Sequence, residues 1–277
     1  MGYPGDRIDA SELTGVSETA LMTLYGRAHQ AELPDPILLD PKAVELVERI
    51  VFDFAKFGRK GQEVAIRAMA IDGCALAYLR EHPRATIVAL AEGFQTSFWR
   101  LSAALPDAEF RWVAVDLPPV IALRERLLPP SPRITNLGQS ALDFSWMDQI
   151  DSSEGVFITA EGLLMYLQPQ ESMDLIRRCA GRFGGGQMFF DLPPTIIKKL
   201  APTGIRTTRD YRVPAMPFSL SINQLRALVG QIPGLRSVRD VPIPAGRGFL
   251  FKTLLPRLWQ FGPTKEFRGV LALLDFD

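Results

Sequence analysis

A chain of 277 residues, 47 % hydrophobic and 22 % charged, is long enough for one large α/β domain or two small ones and has the balance of an ordinary globule. Its 31 basic and 31 acidic residues cancel, which excludes the global field that draws a chain to nucleic acid or an anionic membrane. There is no basic-then-apolar leader and no apolar run near the roughly 18 residues of a membrane span, so a cytoplasmic protein is expected.

Residues 1–13 are polar and read as a mobile start. "SETALMTLYGRAHQ" then predicts a helix capped by Ser17, and "PKAVELVERIVFDFAKF" a second, with Asp40 as cap and Pro41 in its first turn. "EVAIRAMAIDGCALAYLREHP" is a third helix, stopped by Pro83. Residues 1–83 therefore read as a helical cap, part of the same domain as residues 84–277. From Ala85 short apolar runs alternate with helices. The runs are "ATIVALA", "FRWVAVDL", "RITNLGQS", "GVFITAE" and "GQMFFDL", followed near the C-terminus by "SVRDVPIP" and "GVLALLDF". Strands apolar on both faces and separated by helices imply a mostly parallel sheet covered on both sides. Residues 192–217, with five prolines, read as a loop over one end of that sheet. Arg124/Arg126 and Lys198/Lys199 read as solvated helix faces. Cys74 and Cys179 read as buried free thiols.

In an open α/β sheet the ligand lies beyond the carboxyl ends of the strands. That rule selects Leu90–Gly93, Asp116, Ser140–Asp143, Glu161 and Asp191. Asp116 and Glu161 each follow an apolar run directly, where a carboxylate is desolvated unless it has a partner. Asp116 lies 23 residues beyond Gly93, the placement that suits an acid binding ribose hydroxyls. The alternative is a cap for the "PPVIALRERLL" helix. The turn "AEG" lacks the G-x-G-x-x-G of a pyrophosphate site, which counts against a nicotinamide oxidoreductase. His29 and His82 sit in different helices, and no Cys/His spacing suits zinc, so no metal is expected. A serine hydrolase is disfavoured because no G-x-S-x-G is present.

The stretches "GVSETALMTLYGRA", "IRAMAIDGCALAYL", "ALAEGFQTSFWRL", "WVAVDLPPVIALRERLLP" and "AEGLLMYL" together resemble the leucine carboxyl methyltransferase superfamily, over roughly residues 14–191. "VDLPPVIALR" and "AEGLLMYL" are the specific ones. The bacterial branch of that family includes O-methyltransferases of polyketide biosynthesis. The resemblance implies a class I methyltransferase-like, Rossmann-type, mostly parallel seven-stranded sheet with a helical N-terminal cap, and S-adenosyl-L-methionine as cofactor. By position it implies that Arg67 pairs with the methionine carboxylate and that Ala91 and Gly93 form the cofactor loop. It puts Asp116 and Leu117 at the ribose, Ser140, Ala141 and Leu142 around the adenine, Glu161 near the methionine end, and Tyr166 as the catalytic residue facing the transferred methyl. Read from the residues alone, Arg67 is equally a solvated arginine beside Glu63 or Asp72, and Glu161 could pair with Arg67 itself.

Two positions depart from the family pattern. Ala91 stands where a glycine is usual, and Gln95 where an aspartate is usual. Alanine is tolerated there if its φ is negative. The expected activity is O-methylation of a carboxylate, or a hydroxyl, of a small metabolite such as a polyketide. An acid is already ionised at neutral pH and needs no base, whereas a phenol would need one, from His29 or a carboxylate of the cap. Arg27, or Arg206 or Arg209, could meet an acceptor carboxylate. The competing expectation is a methyltransferase-fold protein with weakened cofactor binding that acts as a non-catalytic partner.

Overall fold

The computed structural model describes residues 7–58, 60–254, 257 and 268–277. Three helices come first: α1 (Thr19–Ala31), α2 (Pro41–Arg49) and α3 (Glu63–Glu81). Alternating strands and helices follow: β1 (Thr86–Leu90), α4 (Ser97–Ala104), β2 (Arg111–Asp116), α5 (Pro118–Leu127), β3 (Ile134–Gly138), β4 (Val156–Ala160), α6 (Pro169–Arg182) and β5 (Gln187–Leu192). The chain ends with α7 (Thr195–Leu200), α8 (Ile222–Ala227), β6 (Leu235–Asp240) and β7 (Val270–Phe276). In space the sheet runs β3-β2-β1-β4-β5-β7-β6. The first five strands are parallel, and β7 is antiparallel to both β5 and β6. The order reverses between β1 and β4, which opens a crevice at their carboxyl ends.

Both faces of the sheet are buried, which explains the unbroken apolar runs. On β1, Val88 and Leu90 join a core with Leu175, Ile176 and Cys179 of α6. Ile87 and Ala89 join the opposite core with Ile71, Ala75 and Leu79 of α3 and Phe98 of α4. A third core packs Leu21 and Leu24 of α1 and Leu46 of α2 against Val120 and Leu123 of α5 and against Tyr211 and Val213. The 192–217 segment is the expected excursion, carrying α7 and a short antiparallel pairing of Ile205–Arg206 with Arg212–Val213.

Three local expectations are corrected. Ser17 is not the cap of α1: the helix starts at Thr19 behind Glu18, and no side chain caps it. Residues 1–6 lie outside the described residues, but Ile8, Ala10 and Leu13 are buried, and Ile8–Asp9 pairs with Ile50–Val51. Arg124 is 2 % exposed, buried between α5 and the turn after β1, so only Arg126 of that pair is a solvated cation. Asp40 caps α2 as expected, its carboxylate accepting the Ala43 N–H at 3.1 Å, with Pro41 in the first turn.

Candidate active site

A cavity of about 800 Å³ opens at the carboxyl ends of β1, β2 and β4, beneath α1 and the 205–216 segment. Arg67, Ala91, Gly93, Asp116, Leu117, Ser140, Ala141, Leu142, Glu161 and Tyr166 all line it. Residues from five separate stretches of sequence thus meet at one place, where the sheet order reverses.

The turn after β1 forms the floor. Gly93 has φ +56, and a Cβ there would come within 2.8 Å of the Ala20 methyl of α1. The glycine therefore serves two needs, a left-handed backbone and the close approach of α1. Ala91 has φ +50, which corrects the expectation of a negative φ and places a methyl in a strained conformation. Asp116 is 9 % exposed. Its Oδ2 accepts the Gly93 N–H and its Oδ1 the Leu117 N–H, each at 2.7 Å. Burial pushes its carboxyl above the ordinary range, and the two backbone donors oppose that. Each oxygen keeps a second acceptor site.

Two buried arginines hold this turn in shape. From α5, Arg124 donates through Nη1 to the Gly93 carbonyl at 2.6 Å, and its Nη2 forms an ion pair with Glu92 at 2.9 Å. The indole of Trp112 donates to the other Glu92 oxygen at 3.0 Å. From α1, Arg27 donates to the Phe94 carbonyl at 2.6 Å and pairs with Asp40. Burial pushes the Glu92 carboxyl up, and Arg124 opposes it.

At the far wall Arg67 donates through Nε to Glu161 at 2.7 Å and through Nη1 to Asp191 at 3.0 Å. Asp191 in turn accepts the Gly162 N–H at 2.7 Å. Burial works against the Arg67 charge, but Asp191 and Glu161 outweigh it and hold the guanidinium protonated. So the ion pair between Arg67 and Glu161 that the sequence left open exists, and Arg67 lines the cavity as well. The Gln95 amide donates to the second oxygen of Glu161. An aspartate at that position would set two carboxylates face to face, so the departure at Gln95 has a local partner. Tyr166 is pushed up to about 12 by burial, with Arg67 opposing. Leu117 is 45 % exposed beside Ala141 and Leu142, an apolar edge inside the crevice.

Several expected residues lie elsewhere. Arg27 is 1 % exposed and fully engaged with Asp40 and Phe94, so it is a structural cation and does not reach the cavity. Arg206 and Arg209 do not line it, and Arg206 bonds the Arg209 carbonyl at the surface. His29 is half-buried off the wall, and His82 packs on Tyr78 at 4.5 Å. The Asp191 partnership and the Glu92–Arg124 pair carried no signal in the sequence beyond a carboxylate at a strand end.

The residues present fit a nucleoside carrying an amino-acid tail. An acid with spare acceptor sites follows β2, a left-handed glycine follows β1, an apolar edge flanks the crevice, and an arginine stands at the opposite wall. With the seven-stranded sheet, these features define a class I methyltransferase that uses S-adenosylmethionine. The family model of leucine carboxyl methyltransferase matches residues 20–180. The chain is 33 % identical over 229 residues to the tetracenomycin polyketide synthesis O-methyltransferase TcmP of Streptomyces glaucescens, covering 81 % of this chain and 82 % of that protein. It is 30 % identical over 248 residues to the S-adenosyl-L-methionine-dependent methyltransferase dpfgK of Gibberella zeae, covering 81 % of each. The chain belongs to the leucine carboxyl methyltransferase family. Two solved structures share the fold. One is a Thermobifida fusca YX protein described as a methyltransferase (TM-score 0.53, 17 % identity, 91 % of this chain and 94 % of that one). The other is the plantazolicin methyltransferase BpumL in complex with SAH (TM-score 0.51, 12 % identity, 95 % of this chain and 99 % of that one).

Proposed function

We propose that the protein methylates a carboxylate oxygen of a small, largely apolar metabolite such as a polyketide. The observation that carries this reading is that no enclosed, unengaged base stands beside Tyr166 on the described cavity wall. No histidine lines it, Tyr166 stays protonated, and Glu161 is tied to Arg67 and Gln95. Glu63, on the same wall, is exposed to water. An acid with a pKa near 4 arrives ionised, whereas a phenol near 10 would have to lose a proton first. The relative in Streptomyces glaucescens, an O-methyltransferase of polyketide synthesis, supports oxygen as the acceptor atom.

S-adenosylmethionine supplies an electrophilic methyl on a sulfonium centre. In this reading Asp116 accepts hydrogen bonds from the ribose, and Leu117, Ser140, Ala141 and Leu142 enclose the adenine. Ala91 and Gly93 follow the methionine portion, and Arg67, steadied by Glu161 and Asp191, meets its carboxylate. Tyr166 is a neutral donor that orients the acceptor oxygen. The helices of residues 1–83 act as a cap on the 84–277 part and exclude water. Holding two reactants aligned in such a site is worth roughly 7–11 kcal/mol, enough to dispense with a base.

Calorimetric titration with S-adenosylhomocysteine should show micromolar binding that Asp116→Ala abolishes. Mass spectrometry of products from paired aromatic acids and phenols should then find methyl esters. Ethers without esters would overturn the carboxylate reading. Absence of binding by folded protein would favour the non-catalytic alternative.

A further inference from the structure

Arg67, Glu161 and Tyr166 are one part of the cavity lining. Another part is apolar, with Met22, Tyr25, Phe57, Val64, Val213 and Met216. Besides Arg67, Lys60 is the other cation among the described lining residues. The Lys60 Nζ lies 4.2 Å from the centre of the Tyr25 ring, which itself stacks on Phe54 at 4.9 Å. The ammonium is thus held in place by an aromatic face. Among the described residues it has no carboxylate within ion-pair reach, unlike Arg67 with its two acids.

The surroundings add to its charge. Arg247 is fastened to the cap of α3, its N–H donating to Gln62 Oε1 at 2.6 Å and its carbonyl accepting from Gln62 Nε2 at 3.1 Å. The Nε and Nη2 of Arg247 are buried and have no acceptor among the described residues. His29 is held below its usual pKa by burial first and then by Lys60, with Arg247 adding to the effect and Glu32 opposing it. Glu63, the acid on this rim, is exposed and screened by water, whereas Lys60 is half-buried.

Lys60 and Arg67 stand at different levels of the wall: Lys60 precedes α3, and from Glu63 to Arg67 that helix rises about 6 Å. We infer that Lys60 binds a second acidic group of the acceptor, remote from the oxygen that is methylated. The acceptor is then an apolar ring system with at least two oxygen functions, one seated at Tyr166 and one, ionised, at Lys60. This rests on the reading that the cavity takes a small apolar acceptor, and Lys60 becomes a residue that sets specificity.

The test uses two fluorescent naphthalene dyes of matched shape, anilinonaphthalene sulfonate, an anion, and N-phenylnaphthylamine, which is neutral. Affinities are measured for the full chain with and without saturating S-adenosylhomocysteine. Lys60→Met should weaken the anionic dye about fivefold, the worth of one half-buried ion pair, and leave the neutral dye within twofold. Lys60→Arg should restore the anion, and Arg247→Met should weaken it less than Lys60→Met does. An anionic dye indifferent to Lys60→Met, or both dyes weakened alike, would overturn the inference. S-adenosylhomocysteine binding, followed separately by calorimetry, should be the same in wild type and Lys60→Met. Its failure in wild type would count against the cofactor reading and leave the dye comparison intact.

Discussion

An alanine at φ +50 holds its methyl against the following carbonyl, at a cost of about 1–2 kcal/mol relative to the right-handed region. Glycine would remove that cost but gain freedom in the unfolded chain. Ala91→Gly should therefore stabilise the protein by about 0.5–1 kcal/mol, seen as a melting point roughly 1–2 °C higher. A lower melting point would mean that the Ala91 methyl packs usefully against the core beside it. Gln95 poses a complementary case. Its amide is a donor to Glu161, and Gln95→Glu would turn attraction into repulsion inside the cavity. S-adenosylhomocysteine should bind this variant more weakly than it binds Gln95→Met, which removes the donor without adding a charge. Equal deficits in the two variants would show that the lost hydrogen bond, and not charge, matters at this position. The sequence marked both residues as departures from a pattern. It could not show that the alanine is strained or that the glutamine has found a partner, since both facts depend on where the turn sits.

The elements were legible where burial imposes a simple pattern. The β1 run "TIVAL" is apolar throughout because alternate residues enter two different cores, and Asp40 with Pro41 marks the start of α2 through a hydrogen bond the residue types themselves supply. Charges within elements were less legible. Arg124 sits two residues from the exposed Arg126 in a helix of ordinary look, yet it is buried against the turn after β1. Its partner Glu92 lies on a different element, so no local spacing reveals the pair. This pair joins α5 to the turn after β1, and breaking it leaves one buried charge unmatched. Arg124→Met should cost about 3–5 kcal/mol in urea unfolding, and adding Glu92→Gln should recover part of that loss. Costs that simply add in the double variant would mean the two residues do not act as a pair.

For the molecule as a whole, Asp40 connects what the sequence divided into helices and sheet. Fully buried, it caps α2, pairs with Arg27 of α1 and Arg100 of α4, and accepts from Thr96 at 2.7 Å. Burial alone would raise its pKa, but Arg100 and Arg27 hold the carboxyl below the ordinary range. A depressed folded-state pKa contributes stability above the unfolded value near 3.9, and that contribution is lost as pH falls through the depressed value. Asp40→Asn keeps a cap for α2 and leaves the two arginines without their shared anion, so a loss of about 3 kcal/mol is expected at pH 7. The gap to wild type should close as the solution is acidified. The same change frees Arg27, whose other bond holds the Phe94 carbonyl of the turn after β1, so on the proposed cofactor placement S-adenosylhomocysteine affinity should fall with stability. Asp72→Asn supplies the contrast, because Asp72 pairs with Arg100 and not with Arg27. It should lower stability and leave S-adenosylhomocysteine affinity nearly unchanged. Equal affinities in the two variants would mean that the turn keeps its shape without α1, held from α5 alone.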